Sequence, residues 1–130
     1  MSAMLPTIPL LPTPDFIPTT PTSGGVPGFA IGAGSGKIAL TPMTTVLTGA
    51  CSAILPAVSD LVGFGSTASC FEAAGTAAAA PANPTAVLRN DDGCQDTDAN
   101  NLDFSVRAPT PRNAATPPVR CSCPGSTATN

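Results

Sequence analysis

The sequence contains no histidine, tryptophan or tyrosine, and only 10% of its 130 residues are charged. Without histidine, the common Ser-His and Cys-His catalytic pairs cannot form, and imidazole cannot complete a zinc site. Five phenylalanines are the only aromatic residues, so the chain offers no Trp or Tyr platform for a sugar. We therefore do not expect an enzyme.

Positive charge is equally scarce. The basic residues form no run and no stripe; they are Lys37, Arg89, Arg107, Arg112 and Arg120. Nucleic-acid binding needs a concentrated basic surface, so we expect no nucleic-acid partner. A low charge density with many Ala, Thr, Pro and Gly residues suits a chain that packs against neighbours.

Long hydrophobic runs are also missing. A membrane-spanning helix needs roughly 18 to 20 uninterrupted apolar residues, and the nearest stretch, residues 50–65, is broken by Pro56 and Asp60. We therefore expect no membrane span. The N-terminus is a poor signal peptide because it lacks a basic region and is interrupted by prolines. Either the signal is gone, or the true chain starts upstream of Met1.

Five cysteines in so small a chain predict disulfides and an oxidising compartment. They form no Cys-x-x-Cys pair. Their order suggests one bridge between Cys51 and Cys70, and a second between Cys94 and either Cys121 or Cys123. Each bridge would contribute roughly 2 to 4 kcal/mol by restricting the unfolded chain. One thiol is left over, Cys123 in the first alternative, and it either pairs with another chain, anchors another group or stays free.

Proline content predicts the domain organisation. Residues 1–27 are rich in Pro and Thr, which excludes helix and predicts an extended arm or linker. Residues 28–121 alternate short apolar segments with Gly, Pro and Asn, which is typical of an all-β sandwich. Residues 122–130 are expected to form a flexible tail.

Several segments have the pattern of short strands. They are residues 29–31, 37–40, 44–47, 58–64, 85–89 and 104–107. The alanine run at 77–80 has high helix propensity, but Gly75 lies before it and Pro81 and Pro84 follow it. We predict a loop there.

The stretch NDDGCQDTDANNLDF, residues 90–104, holds five of the eight acidic residues. Its oxygen-bearing side chains have the alternating spacing of calcium loops, and the candidate ligands are Asp96, Asp98, Asn100 and Asp103. An EF-hand would also need glycine at the sixth position and glutamate at the twelfth, where Asn101 and Arg107 stand. Two alternatives follow: a calcium site, or an acidic turn in which Asp and Asn side chains cap backbone amides. No other cofactor is expected.

Several segments resemble, in the same order, the C-terminal half of bacterial lamin-tail domains. They are LPTPD at 11–15, GSGKIAL at 34–40, TTVLTGAC at 44–51, DLVGFGSTASCFEAAG at 60–75, TAVLRNDDGCQDTDANNLDF at 85–104 and APTPRNAATPP at 108–118. The resemblance implies an immunoglobulin-like β-sandwich in a secreted or surface-attached protein. Such domains are often joined to nucleases, phosphatases or other extracellular modules, and are thought to serve attachment and interaction.

The opening strands of lamin-tail domains have no counterpart in residues 1–27, and residues 16–27 resemble an insertion. The chain is therefore similar to the back half of the sandwich, which would leave strand edges unpaired. Either the chain is a fragment of a longer protein, or a partner supplies the missing strands by β-augmentation.

These observations predict a non-catalytic, exported structural or interaction module, acting as a subunit of an extracellular or cell-surface assembly. Two alternatives are an accessory subunit on the periplasmic or outer face of a membrane complex, and a targeting or attachment fragment of a secreted hydrolase or nuclease. We expect a protein partner or a homo-assembly, contacted through the arm at 1–27 and the open sheet edge. The predicted location is extracellular, cell-surface or periplasmic.

Overall fold

The computed structural model describes residues 11–17, 31–48, 51, 55–72 and 75–122. Its strands are β1 (Gly36–Leu40), β2 (Asp60–Phe64), β3 (Ala86–Arg89) and β4 (Phe104–Arg107). The helical elements whose bounds lie within these residues are the 3₁₀ turns Leu55–Ala57 and Asp91–Gly93 and a short α-helix, α1 (Asn100–Asp103). The described chain is therefore a small fold that is rich in strand and poor in helix.

The strands form two antiparallel two-stranded sheets. In the first sheet β1 pairs with β2, and Gly36 lies opposite Phe64. In the second sheet β3 pairs with β4, and Ala86 lies opposite Arg107. Because successive side chains of a strand point to opposite faces, this register puts alternate residues of β1 and β2 on a common face.

Four of the predicted strand segments are confirmed, those at 37–40, 58–64, 85–89 and 104–107. The predicted strand at 44–47 is wrong, because these residues pair with no strand and Val46 is 86% exposed. The alanine run forms no helix, as predicted, and contributes an isolated parallel bridge between Ala78 and Phe64. Residues 29 and 30 lie outside the described residues, and Ile31 is not in a strand.

The core of the described chain is thin: its main cluster lies on one face of β2, and the other buried hydrophobic residues are Phe64, Ala78 and Ala99. Leu61 and Cys70 are 1% and 2% exposed and pack together. The partly buried residues around them are Leu47, Cys51 and Val58. A cluster with so little apolar area contributes little burial free energy, so cross-links and hydrogen bonds carry more of the stability than in a larger domain.

Gly63 in β2 lets another part of the chain lie directly on the strand. A Cβ at this position would overlap the carbonyl oxygen of Cys70 and lie 2.7 Å from Cβ of Phe71. These neighbours include backbone, which cannot swing aside as a flexible side chain could. The close approach of residues 70–71 to β2 therefore requires glycine.

Two disulfides stabilise the fold. Cys51 is bonded to Cys70, with 5.0 Å between the Cα atoms, and Cys94 is bonded to Cys121, with 5.2 Å between the Cα atoms. Of the two partners that the sequence allows for Cys94, the structure therefore has Cys121; Cys123 lies outside the described residues. Two disulfides indicate an oxidising, extracellular-type environment.

The chain divides into two compact units. The first contains Met1–Ala30 and Thr110–Pro118, and the second contains Ile31–Pro109 and Val119–Asn130. In the first unit the Asp15 carboxylate accepts a hydrogen bond from the backbone N–H of Ala114 at 2.7 Å. The side-chain amide of Asn113 donates to the carbonyl of Thr13 at 3.1 Å. The proline-rich segment 11–17 is thus hydrogen-bonded to residues distant in sequence. The predicted domain boundaries at residues 27 and 121 stay predictions.

No helix in the described ranges is long and apolar enough to span a bilayer.

Candidate functional site

The acidic stretch forms the connection between β3 and β4. It begins with the 3₁₀ turn and ends with α1, which leads directly into β4. Asp91, Asp92 and Asp98 have positive φ angles of 50°, 52° and 55°, a region that Asp tolerates better than most residues. The acidic residues thus suit the backbone of a tight connection.

Asp103 is fully buried at the end of α1. Its Oδ2 accepts hydrogen bonds from the backbone N–H groups of Thr97 at 2.9 Å and Ala99 at 3.1 Å, and its Oδ1 accepts one from the Thr97 hydroxyl at 2.7 Å. Burial opposes ionisation of this carboxyl, but the hydrogen bonds from Thr97 and Ala99 outweigh burial and hold the pKa of Asp103 below its usual value. Asp103 therefore fixes the loop by capping its amides.

Asn100 is also fully buried, and the hydrogen bonds of its side chain reach residues far away in sequence. Its Oδ1 accepts from the backbone N–H of Gly63 at 2.7 Å and of Glu72 at 3.2 Å. Its Nδ2 donates to the carbonyl of Leu61 at 2.9 Å and to Oε2 of Glu72 at 2.8 Å. The side chain thus uses both donors of its NH₂ group and accepts two hydrogen bonds.

These contacts provide hydrogen-bond partners for the backbone groups on the edge of β2 that faces away from β1. The Leu61 N–H donates to Oε1 of Glu72 at 3.1 Å, and the Gly63 carbonyl accepts from the N–H of Ala78 at 2.8 Å. With the two bonds to Asn100, all four backbone polar groups of Leu61 and Gly63 have partners. The side chains of Asn100 and Glu72 therefore do at this edge what a neighbouring strand usually does.

Glu72 carries an electrostatic cost for this role. Burial raises the pKa of its carboxyl, and the nearby negative charge of Asp60 adds to the increase, while the hydrogen bond from Leu61 opposes it. The pKa of Glu72 therefore lies above its usual value. No local pattern in the sequence indicated these roles, because Asn100 lies 28 residues from Glu72 and 39 residues from Leu61.

The four candidate calcium ligands are not brought together as a ligand set. Asn100 and Asp103 direct their oxygens at backbone amides, and Oδ1 of Asp96 lies 3.2 Å from Nη1 of Arg89. Asp98 is exposed. Within the described ranges, no three His, Cys, Asp or Glu side chains are placed to hold a metal ion. The geometry thus supports the acidic turn and gives the calcium interpretation no support.

Arg89 in β3 bonds both to the acidic stretch between β3 and β4 and to Asp60 in β2. Its guanidinium bonds to Oδ2 of Asp60, donates to the carbonyl of Gln95 at 3.0 Å and lies 4.6 Å from the ring centroid of Phe104. Burial acts to lower the pKa of Arg89, but the charges of Asp60 and Asp96 outweigh it and raise that pKa. The side chain is only 14% exposed, so this ion pair is screened less than one at the surface. No local pattern in the sequence indicated it.

One hydrogen bond has the composition of a Ser-Lys catalytic pair. Nζ of Lys37 donates to Oγ of Ser69 at 2.7 Å. Both residues are exposed, so the contact lacks the water-excluded setting in which enzymes activate a serine. It is adequately explained as a surface hydrogen bond.

The side of the first sheet that faces away from Leu61 and Cys70 is apolar; we call Ile38, Leu40, Val62 and Phe64 the apolar face, and of these Phe64 is itself buried. Ile38 is 50% exposed and Leu40 is 66% exposed. A groove of about 310 Å³ runs along this face; its lining includes Ile31, Ile38, Val62, Phe64, Val87 and Phe104. Among the described residues, no strand pairs with the outer edge of β1. Ile38 and Leu40, next to this edge, are the exposed part of the apolar face.

Comparison with known proteins adds no family to this description. No protein-family model, no curated protein and no solved structure matches the chain.

Proposed function

We propose that this protein is a non-catalytic, exported interaction module of the lamin-tail type, which acts as a subunit of an extracellular or cell-surface assembly. The observation that carries the proposal is the exposed part of the apolar face, beside an edge of β1 with which no described strand pairs. Four of the five residues of β1 are exposed, and Ile38 and Leu40 are among them.

The free energy of apolar burial supports a role in association. Full burial of an Ile or Leu side chain contributes about 1.5 to 3 kcal/mol. Ile38 and Leu40 are at least half exposed in the single chain, so at least half of this burial free energy is still available to a partner. Contiguous exposed apolar surface marks an interaction site more often than a surface that stays in water. A partner that covers this face would therefore gain both apolar contact and backbone hydrogen bonds.

The two-sheet arrangement supports the lamin-tail type. Residues of both sheets line the apolar groove, Val62 and Phe64 from β2 and Val87 and Phe104 from β3 and β4. Apolar side chains between two antiparallel sheets are typical of a β-sandwich, and the open edge is what the back half of an immunoglobulin-like domain would present. The disulfides support export, to the periplasm, the cell surface or the medium.

The buried polar groups support a non-catalytic role. The side chains of Asn100 and Asp103 are occupied by structural hydrogen bonds, and Arg89 is held by carboxylates and an aromatic ring. Catalytic groups, in contrast, need access to a substrate and a pKa suited to proton transfer.

Light scattering on a size-exclusion column, with the oxidised chain at several concentrations, tests the proposal. We expect a defined oligomer or a mass that rises with concentration. Leu40→Lys should weaken association because it places a charge on the apolar face. Leu102→Lys is the matched control, since Leu102 is 57% exposed on α1 and does not line the groove, and it should leave the mass unchanged. A compact monomer at every concentration would overturn the assembly function.

A further inference from the structure

We infer that the partner at the open edge is a second copy of this chain, with β1 of each copy paired antiparallel across a two-fold axis at Ile38. The resulting sheet has four strands in the order β2, β1, β1 of the second copy, β2 of the second copy. This inference rests on the proposed assembly function and names the partner and its register.

The hydrogen bonds of β2 determine which groups of β1 face outward. Leu61 and Gly63 direct their backbone groups away from β1, to Asn100, Glu72 and Ala78. Asp60, Val62 and Phe64 therefore bond to β1, and their partners are Leu40, Ile38 and Gly36. The intervening residues Lys37 and Ala39 consequently direct their N–H and C=O groups to the outer edge, where a new strand can bond to them.

An axis at Ile38 uses all of these groups. Lys37 of each copy then lies opposite Ala39 of the second copy, and each of the two pairs exchanges two backbone hydrogen bonds. Ile38 lies opposite Ile38 of the second copy as a non-hydrogen-bonded pair, where side chains approach most closely. This register pairs β1 along its whole length, from Gly36 to Leu40.

The side chains fit the same register. Leu40 lies opposite Gly36 of the second copy, which has no side chain to obstruct it. The space above Gly36 is bounded by apolar groups, since a Cβ there would lie 2.9 Å from Cζ of Phe64 and 3.5 Å from Cγ2 of Ile31. The ring of Phe64 fills this space, so Leu40 of one copy meets the apolar surface of Phe64 and Ile31 on the other and gains apolar contact for a side chain that is 66% exposed in the single chain.

Charge also selects this register. Lys37 is the only charged residue of β1, and the axis at Ile38 places it opposite alanine. An axis at Lys37 would place two lysines directly opposite each other, which is unfavourable. The Lys37 side chain lies on the face opposite Ile38 and bonds to Ser69, so it does not cover the apolar face. An axis at Ala39 would pair fewer residues of β1.

Cysteine cross-linking tests the register, in a Cys123→Ser background that removes the leftover thiol. Ile38→Cys places two thiols opposite each other at the axis, with Cα atoms about 4.5 Å apart, within the range of a disulfide. Leu40→Cys is the matched control on the same strand and face, because its two copies lie four residues apart, roughly 14 Å. Under mild oxidation, we expect a disulfide-linked dimer for the first variant and none for the second, by non-reducing electrophoresis and mass spectrometry.

Opposite charges at the axis provide a second test that also reports on folding. Ile38→Lys and Ile38→Glu should each weaken self-association by about tenfold or more, because like charges meet across the axis. A mixture of the two variants should restore the dimer, which shows that both are folded.

No cross-link at Ile38, or a mixture that does not associate, would overturn the pairing, and efficient cross-linking of Ala39→Cys would overturn the register. If the unmodified chain is then still an oligomer by light scattering, the assembly function stands with an interface elsewhere. If it is a monomer, both proposals fall.

Discussion

The substitution Asn100→Asp tests the idea that side chains replace a strand at the edge of β2. It exchanges the side-chain nitrogen for oxygen and keeps the shape. The Leu61 carbonyl then loses its donor, and a new carboxylate faces Oε2 of Glu72, where an N–H group donates at 2.8 Å in the native chain. The damage is therefore electrostatic and involves no loss of packing volume.

The expected loss of unfolding free energy is about 3 to 5 kcal/mol at pH 7. A buried polar group left without a partner costs about 1 to 3 kcal/mol, and an uncompensated buried charge about 3 to 5 kcal/mol. Burial already raises the pKa of Glu72, so a second carboxylate at this place is particularly unfavourable. At pH 4 the loss should be smaller, because a protonated aspartic acid can again donate a hydrogen bond.

Urea denaturation monitored by far-UV circular dichroism measures this loss, since the chain has no Trp or Tyr for fluorescence. Asn101→Asp is the matched control: it makes the same chemical change at the next residue, which is exposed, and should alter stability by no more than about 0.5 kcal/mol. Asn100→Ala, which removes the side chain without adding charge, should also destabilise and should show less dependence on pH. Equal stability of the Asn100→Asp and Asn101→Asp proteins would refute the role of Asn100 at the strand edge.

Four further outcomes can be measured. Gly63→Ala should destabilise by about 2 kcal/mol or more, because its Cβ meets backbone, whereas Gly34→Ala, where a Cβ meets nothing within 4 Å, should be nearly neutral in the same urea assay. The contribution of Asp103 to stability should be present above its usual pKa of 3.8 and be lost as pH falls through its lower folded-state value; Asp103→Asn should flatten the stability profile in this acid range, and an unchanged profile would contradict the capping role. Replacing both Cys94 and Cys121 by Ser opens a bridge with a sequence separation of 27 and should cost roughly 3 to 4 kcal/mol on the chain-entropy estimate, measured as a lower urea midpoint than that of the oxidised native chain. Addition of a calcium chelator should leave the thermal midpoint unchanged, and a decrease restored by calcium would revive the metal interpretation.

The strands that the sequence predicted correctly have a local signal. The segment at 58–64 alternates apolar with small or polar residues, and in the structure its apolar positions lie on the core and on the apolar face. The segment at 44–47 has β-branched residues and the same local preference, but it pairs with none of the described strands. Strand propensity is realised only where a partner strand and a surface are available, and neither can be inferred from four residues.

The acidic stretch illustrates the same limit. Asx-type capping is local, so the turn alternative could be formulated from the spacing of Asp and Asn residues alone, and Asp103 bonds to amides only four and six residues away. Asn100 has the same chemistry, yet its partners include Leu61, 39 residues earlier in the chain. Nothing in the local pattern distinguishes the residue that caps its own loop from the one that binds a distant strand.

The hydrogen bonds of Asn100 also determine how the second unit can open. The residue belongs to the connection between β3 and β4, but its partners Leu61 and Gly63 belong to the β1–β2 sheet. Two sheets of two strands, with four or five residues per strand, would each be marginal alone. Because separating them exposes unpaired polar groups on both, the two sheets are expected to unfold as one cooperative unit. The amide of Gly63 should then exchange with solvent no faster than the unit as a whole opens.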